Sequence, residues 1–258
     1  MKLISALTIF ISTFTLISCS TNSGKTEVVD KESSTIESST IEEPKTTPAV
    51  CIWDQIAVRE TPSSKGKYIT SLSVGESLES LGVDSLDTKR TYTKVKLGDG
   101  TIGWSIKDFV IANGQVATFL NDNSLFKRPD LLTKTENSFS QMDIVAITSD
   151  QEEWVEIIGK RKDGEWIESG WVKKSSLSLN SLDVAVAKFG RQALEMNELD
   201  EQIEALKELI ENNDFSSSNF IPSLQENLDV LLNAGQDPLG VELDSTSILE
   251  KSPIDSIQ

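Results

Sequence analysis

Histidine is absent from the chain, and cysteine and tyrosine occur twice each in 258 residues. The missing imidazole excludes the Ser-His-Asp triad, the Cys-His dyad and every His-ligated metal site. Carboxylate-only catalysis survives that exclusion. The adjacent acidic pairs, however, Glu42-Glu43 and Glu152-Glu153, fall in a low-complexity stretch and at a turn rather than in a cleft. The expectation is a protein that is not an enzyme, with no catalytic residue, metal or cofactor. Cations are scarce as well: 24 Lys and Arg stand against 41 Asp and Glu, a net charge of -17. That balance excludes nucleic acid as a partner, because such binding needs clustered cations to displace counterions. It also excludes simple adhesion to an anionic bilayer.

A long uninterrupted hydrophobic run is missing too. The apolar stretch 3–17 is broken by Ser and Thr and is short for a bilayer span. After the lone basic Lys2 it fits a secretory h-region. It ends on Leu16-Ile17-Ser18-Cys19, which resembles the bacterial lipobox. The resemblance implies that residues 1–18 are cleaved and that the Cys19 thiol is lipidated. Acyl chains such as palmitate then hold the protein to a membrane, each buried methylene contributing about 0.8 kcal/mol. The implied location is the cell envelope, lipid-anchored. Ser20 after the cysteine permits the outer membrane of a Gram-negative cell, on its periplasmic face or its surface.

With Cys19 so used, Cys51 has no intramolecular partner. It lies in the apolar run "AVCIWDQIAV" and reads as a buried structural thiol. Residues 19–49 are rich in Ser, Thr, Glu and Lys, with "ESSTI" twice in succession. Such a segment cannot bury enough surface to offset its ordering entropy, so it reads as a flexible tether. Its 29 residues from Ser20 to Pro48 give, as coil, a reach on the order of 30 Å.

From Val50 short β-rich runs alternate with turn residues, and no helical period intervenes before Leu182. The runs come in two copies. Val58, Pro62, Gly75, Trp104 and Val110 are matched by Leu125, Pro129, Met142, Trp171 and Leu177, each 67 residues later (125−58, 171−104). The first copy is longer around "SLDTKR", the second around "GKRKDGEWIES". Length differences confined to loops are the mark of an internal duplication. Each copy also places Asp-Gly before Gly-Trp: Asp99-Gly100 before Gly103-Trp104, and Asp163-Gly164 before Gly170-Trp171. The Asp-Gly pairs read as hairpin turns and the indoles as packed on the core.

The Val-Arg-x-x-Pro opening at Val58, the Val-Gly-Glu turn at Val74 and the closing Gly103-Trp104 resemble the bacterial SH3 (SH3b) domain. The second copy is a divergent version, without Val-Arg and with Met142-Asp143 for Gly75-Glu76. The resemblance implies two small SH3-like β-barrels, at 50–112 and 113–180, and recognition of peptidoglycan peptides or envelope proteins. By fold position the candidate ligand-binding residues are Arg59 and the aromatics Tyr68, Tyr92, Trp53 and Trp104, with Tyr68, Tyr92 and Trp53 expected at the surface.

Beyond residue 180 the period becomes helical. Leu182, Val186, Phe189, Ala193 and Leu194 fall on one face after a Ser181 cap. Leu199, Ile203, Leu206 and Ile210 form a second stripe, and Leu224, Leu228, Leu231 and Leu232 a third between Pro222 and Gly235. The fold class expected is mainly β with an α-helical C-terminal part: two barrels, a helical bundle over 181–235 packed on the second barrel, and an irregular tail, 236–258. A coiled-coil dimer through the 199–210 seam is the sharper alternative for the helices. Two functional readings follow. One is a lipid-anchored envelope protein that binds through its barrels, the first with an open ligand face. The other is a scaffold whose helices bind a partner protein, with the barrels as spacers.

Overall fold

The computed structural model describes residues 46–162 and 164–234. The leader, Cys19, most of the tether, Asp163 and the tail after Ala234 lie outside the described residues.

The architecture is mainly β, with two antiparallel sheets followed by three helices. The first sheet contains β1 (Thr47–Cys51), β2 (Ile56–Arg59), β3 (Tyr68–Leu72), β4 (Ser77–Asp87), β5 (Arg90–Lys96), β6 (Ile102–Ile106) and β7 (Val110–Ala112). The second contains β8 (Gln115–Phe119), β9 (Asn123–Phe126), β10 (Lys134–Phe139), β11 (Ile144–Gln151), β12 (Trp154–Lys160), β13 (Ile167–Lys173) and β14 (Leu177–Ser178). Strand order is β3-β2-β6-β5-β4-β1-β7 in one and β10-β9-β13-β12-β11-β8-β14 in the other. The second order is the first with seven added to every strand. The first strand starts at Thr47, inside the stretch read as tether, because Thr47 to Val50 pair with β4.

The duplication extends to single hydrogen bonds. In the first copy the Glu76 carboxylate accepts from the Ser73 N–H at 2.9 Å; in the second, Asp143 accepts from Ser140 at 2.7 Å. Gly75 and Met142, at the same place in this turn, both have positive φ, +78° and +66°. The longer loop expected around "SLDTKR" is instead paired strand: Asp84 to Asp87 of β4 hydrogen-bond with Arg90 to Thr93 of β5. The extra residues lengthen the hairpin rather than leave its backbone unpaired.

Gly103 and Gly170 explain half of the Gly-Trp motif. A Cβ on Gly103 would lie 2.4 Å from Val58 Cγ1 and 3.0 Å from the Arg59 carbonyl oxygen. On Gly170 it would lie 2.8 Å from Leu125 and 2.9 Å from the Phe126 oxygen. Each glycine lets the late strand cross the early one at a distance no side chain permits.

Each sheet has its own core, Val58, Leu72 and Val95 in the first and Phe119, Phe139, Val155 and Val172 in the second. Phe119 and Phe139 stack at 5.1 Å. Val50, Ile52 and Ala146 form a third buried cluster between the sheets. Helices α1 (Ser181–Leu194), α2 (Leu199–Glu211) and α3 (Ile221–Ala234) pack in sequence and cover the second sheet at Met142 and Ile144. The residue capping α1 is Asn180, not Ser181: its side chain accepts from the Leu182 N–H at 3.0 Å. The inward stripe of α1 holds Val186 and Ala193 as expected, but Phe189 is 43% exposed, and Asp183, Ala187 and Gly190 are buried as well. Gly190 faces Leu224 of α3 so closely that the helices rather than the period set the face. Leu206 is fully buried, and Ile203 and Ile210 pack on the same cluster. That use of the seam within the chain removes most of the coiled-coil surface.

Candidate functional site

Strand alternation determines which of the sequence candidates meet. Cross-strand partners share a face. Tyr68 is opposite Arg59, Arg59 opposite Trp104, and Trp104 opposite Lys94. The four side chains form one row across β3, β2, β6 and β5. Gly103 and Ser105, the strand neighbours of Trp104, point the other way and are buried. Trp104 is therefore half-buried on the outer face and not in the core, and Trp171 occupies the same position in the second sheet. This corrects the core placement expected for both indoles. The small residue next to each Trp is the one the core requires.

Within the row, Tyr68 is 56% exposed. Arg59 is half-buried and its Nη1 donates to the Gly66 carbonyl at 2.8 Å, which ties down the loop between β2 and β3. Lys94 Nζ lies 6.0 Å from the Trp104 ring centroid. Tyr92 was expected at the surface but is 3% exposed. It points outward from β5 yet is buried, as is Trp154 at the matching place in β12. With Arg59, Ala57, Ile106 and Arg90, Tyr92 lines a cavity of about 280 Å³ on the same face. Trp53 is not part of this group. Its ring packs on Phe109 at 5.2 Å and lies 4.8 Å from Lys160 Nζ, at the junction of the two sheets. Lys94 was missed by sequence reasoning, although its place two residues after Tyr92 in an alternating strand puts it on the same face.

The equivalent row in the second sheet reads Lys134, Phe126, Trp171 and Glu156. An aromatic replaces Arg59 and a carboxylate replaces Lys94. Phe126 is buried edge-on against Trp154, ring centroids 5.0 Å apart. The first row thus combines two cations with two aromatics. The second has lost the guanidinium and reversed the charge at its far end.

Cys51 is fully buried, donates to the Trp53 carbonyl, and its thiol is pushed up to about 12, chiefly by burial. It is inert as a nucleophile at neutral pH. Among the described residues, no group of His, Cys, Asp and Glu is placed to hold a metal ion. One buried carboxylate lies in the first turn of α1 and a second, Asp143, pairs with Arg191 near its end. Asp183 accepts from Ser178 Oγ, Ser218 Oγ, the Asn219 N–H and Asn219 Nδ2 at 2.5–2.8 Å. Burial pushes its carboxyl up, but these donors outweigh it and leave the group below the usual carboxylate range. Asp143 has fewer donors. Burial holds its carboxyl above that range although Arg191 Nη2 lies 2.8 Å from Oδ1. The same nitrogen donates to the Gln141 carbonyl, and Oδ1 receives no aligned hydrogen bond among the described residues.

No family model matches the chain, and no curated protein does. Among solved structures it is similar to NlpC2 from Trichomonas vaginalis, at 12% identity and a TM-score of 0.24, over 65% of this chain and 57% of that one. NlpC1 from the same organism aligns at 10% identity and 0.23, over 60% and 55%. The chain thus spans little more than half of either neighbour, and overlap at these scores carries neither fold nor function across. No helix among the described residues is long and apolar enough to cross a membrane.

Proposed function

We propose that the chain is a lipid-anchored cell-envelope binding protein whose two sheets are tandem SH3b-like barrels, the first recognising a peptidoglycan peptide or an envelope protein. One observation carries the reading. The row Tyr68, Arg59, Trp104 and Lys94 lies on the outer face of the first sheet and is dismantled at the matching positions of the second. Paired aromatics and cations on an accessible face suit a ligand with carboxylates and short apolar groups. The scaffold reading has less support, because α1, α2 and α3 use their apolar faces on one another and on Met142 and Ile144.

The test is co-sedimentation of the purified protein with insoluble peptidoglycan. The expected result is that wild type pellets, Arg59→Ala and Trp104→Ala lose about tenfold in affinity, the loss of one well-placed contact, and Trp171→Ala is unchanged. Equal pelleting by all variants, or none by wild type, overturns the peptidoglycan reading. The anchor is tested separately. Cys19→Ser should move the protein to the soluble fraction, and a variant that still resists carbonate extraction removes the lipid from the proposal.

A further inference from the structure

The enlarged hairpin "GKRKDGEWIES" has no part in the outer-face site, and it brings three cations to one place. Lys160, Arg161 and Lys162, at the end of β12, line a cavity of about 180 Å³ between the two sheets and α1. Lys188 and Arg191 of α1 complete a lining with five cations and three carboxylates, in a chain whose net charge is -17. Arg161 is paired with Glu168 and Arg191 with Asp143, while Lys160, Lys162 and Lys188 have no ion pair among the described residues. Trp53 forms one wall, with Lys160 over its ring. The first copy has only the tight Asp99-Gly100 turn at the matching position, so these cations are peculiar to the second.

We propose that this junction binds a small phosphate compound, inorganic phosphate or a phosphate monoester that retains a proton. The proposal is independent of the outer-face site. The lysines supply charge-assisted donors to the anionic oxygens. Asp143 supplies the selectivity. It lines the cavity, is 2% exposed, and its Oδ1 lacks an aligned donor. Arg191 holds that oxygen by charge rather than by an aligned hydrogen bond, which leaves lone-pair capacity for a ligand that brings a donor. A protonated phosphate oxygen donates there, whereas sulfate and a simple carboxylate have no proton to give. Arg191 at 2.8 Å offsets the repulsion between the carboxylate and the anion. The cavity falls below the roughly 300–1,000 Å³ of drug-sized sites, which limits the ligand to a small molecule.

The experiment is calorimetric titration and thermal unfolding of the whole protein with inorganic phosphate, against sulfate and sodium chloride at matched ionic strength. Any salt screens the self-repulsion of so acidic a chain, so only the increment over chloride counts. Phosphate should give saturable heat and raise Tm beyond chloride, and sulfate should not. Lys160→Gln and Lys188→Gln should each weaken the saturable binding about tenfold, the worth of one charge-assisted hydrogen bond. Lys94→Gln, on the outer face, should leave it unchanged. Phosphate no better than chloride overturns the site, as does binding that survives both lysine variants. Sulfate saturating as tightly as phosphate overturns the role given to Asp143.

Discussion

Arg59 and Trp104 are register partners across β2 and β6, and Phe126 and Trp171 hold the same relation 67 residues on (126−59, 171−104). The backbone kept its pairing while one member of the pair changed from a guanidinium to a phenyl ring. Where Arg59 leaves its surroundings half-open, Phe126 closes against Trp154. The two sheets share one frame and differ in whether the outer row stays accessible.

Stability should follow that difference. Trp104→Ala removes a half-buried outer side chain and should cost about 1–2 kcal/mol, short of the roughly 3–5 of a fully buried Trp or Phe. Phe126→Ala should approach the upper figure. Urea unfolding of the two variants ranks them, and an equal loss would place Trp104 in the core.

Gly103→Ala and Gly170→Ala should each destabilise by about 1–3 kcal/mol through overpacking where the strands cross. Gly98→Ala, whose Cβ would meet nothing within 4 Å, serves as the control. Melting curves that do not separate the three variants would refute the close-crossing explanation.

Asp183 ties the end of β14 to α1 and to the turn before α3 through four donors. Asp183→Ala should cost about 3 kcal/mol at neutral pH, since it leaves those donors buried without an acceptor. Its folded pKa lies below the ordinary 3.8. The stabilisation is therefore fully present above that value and is lost as pH falls through the lower, folded one. Asp143, held above 3.8 chiefly by burial, has the opposite sign: its contribution falls as pH rises through its folded value. Acid titration of stability in the two alanine variants distinguishes them, Asp183→Ala flattening the acid limb and Asp143→Ala steepening it.

Deleting the helices tests what they cover. A chain ending at residue 180 exposes Met142, Ile144 and Val116, which pack against the helical cluster. It should bind hydrophobic dye or aggregate. The fragment 46–112 meets a milder form of the same problem, because Val50 and Ile52 lose their cover at Ala146. A monomeric, dye-free fragment 114–180 would show that the helices are a separate module.

Much of the frame was legible without coordinates. Period-two runs with Gly and Asp turns specify strands by local sterics, and the 67-residue offset gave the duplication that the strand order repeats. The stripe of Leu224, Leu228, Leu231 and Leu232 gave α3. Local pattern could not say how far one side chain would be covered by a distant segment. Tyr92 shares the outer face of its strand with Lys94 and is nonetheless buried, which alternation alone does not show. Trp104 is large and apolar, yet the crossing of β2 and β6 leaves room on the inner face for glycine alone. Phe189 gave way to Gly190 on the inner face of α1 because Leu224 approaches that closely. The meeting of Trp53 with Lys160 and Arg191 likewise joins it to residues more than a hundred positions on, and only packing between sheets and helix brings them together. Periodicity reports which residues prefer burial; the docking of one element on another decides which of them obtain it.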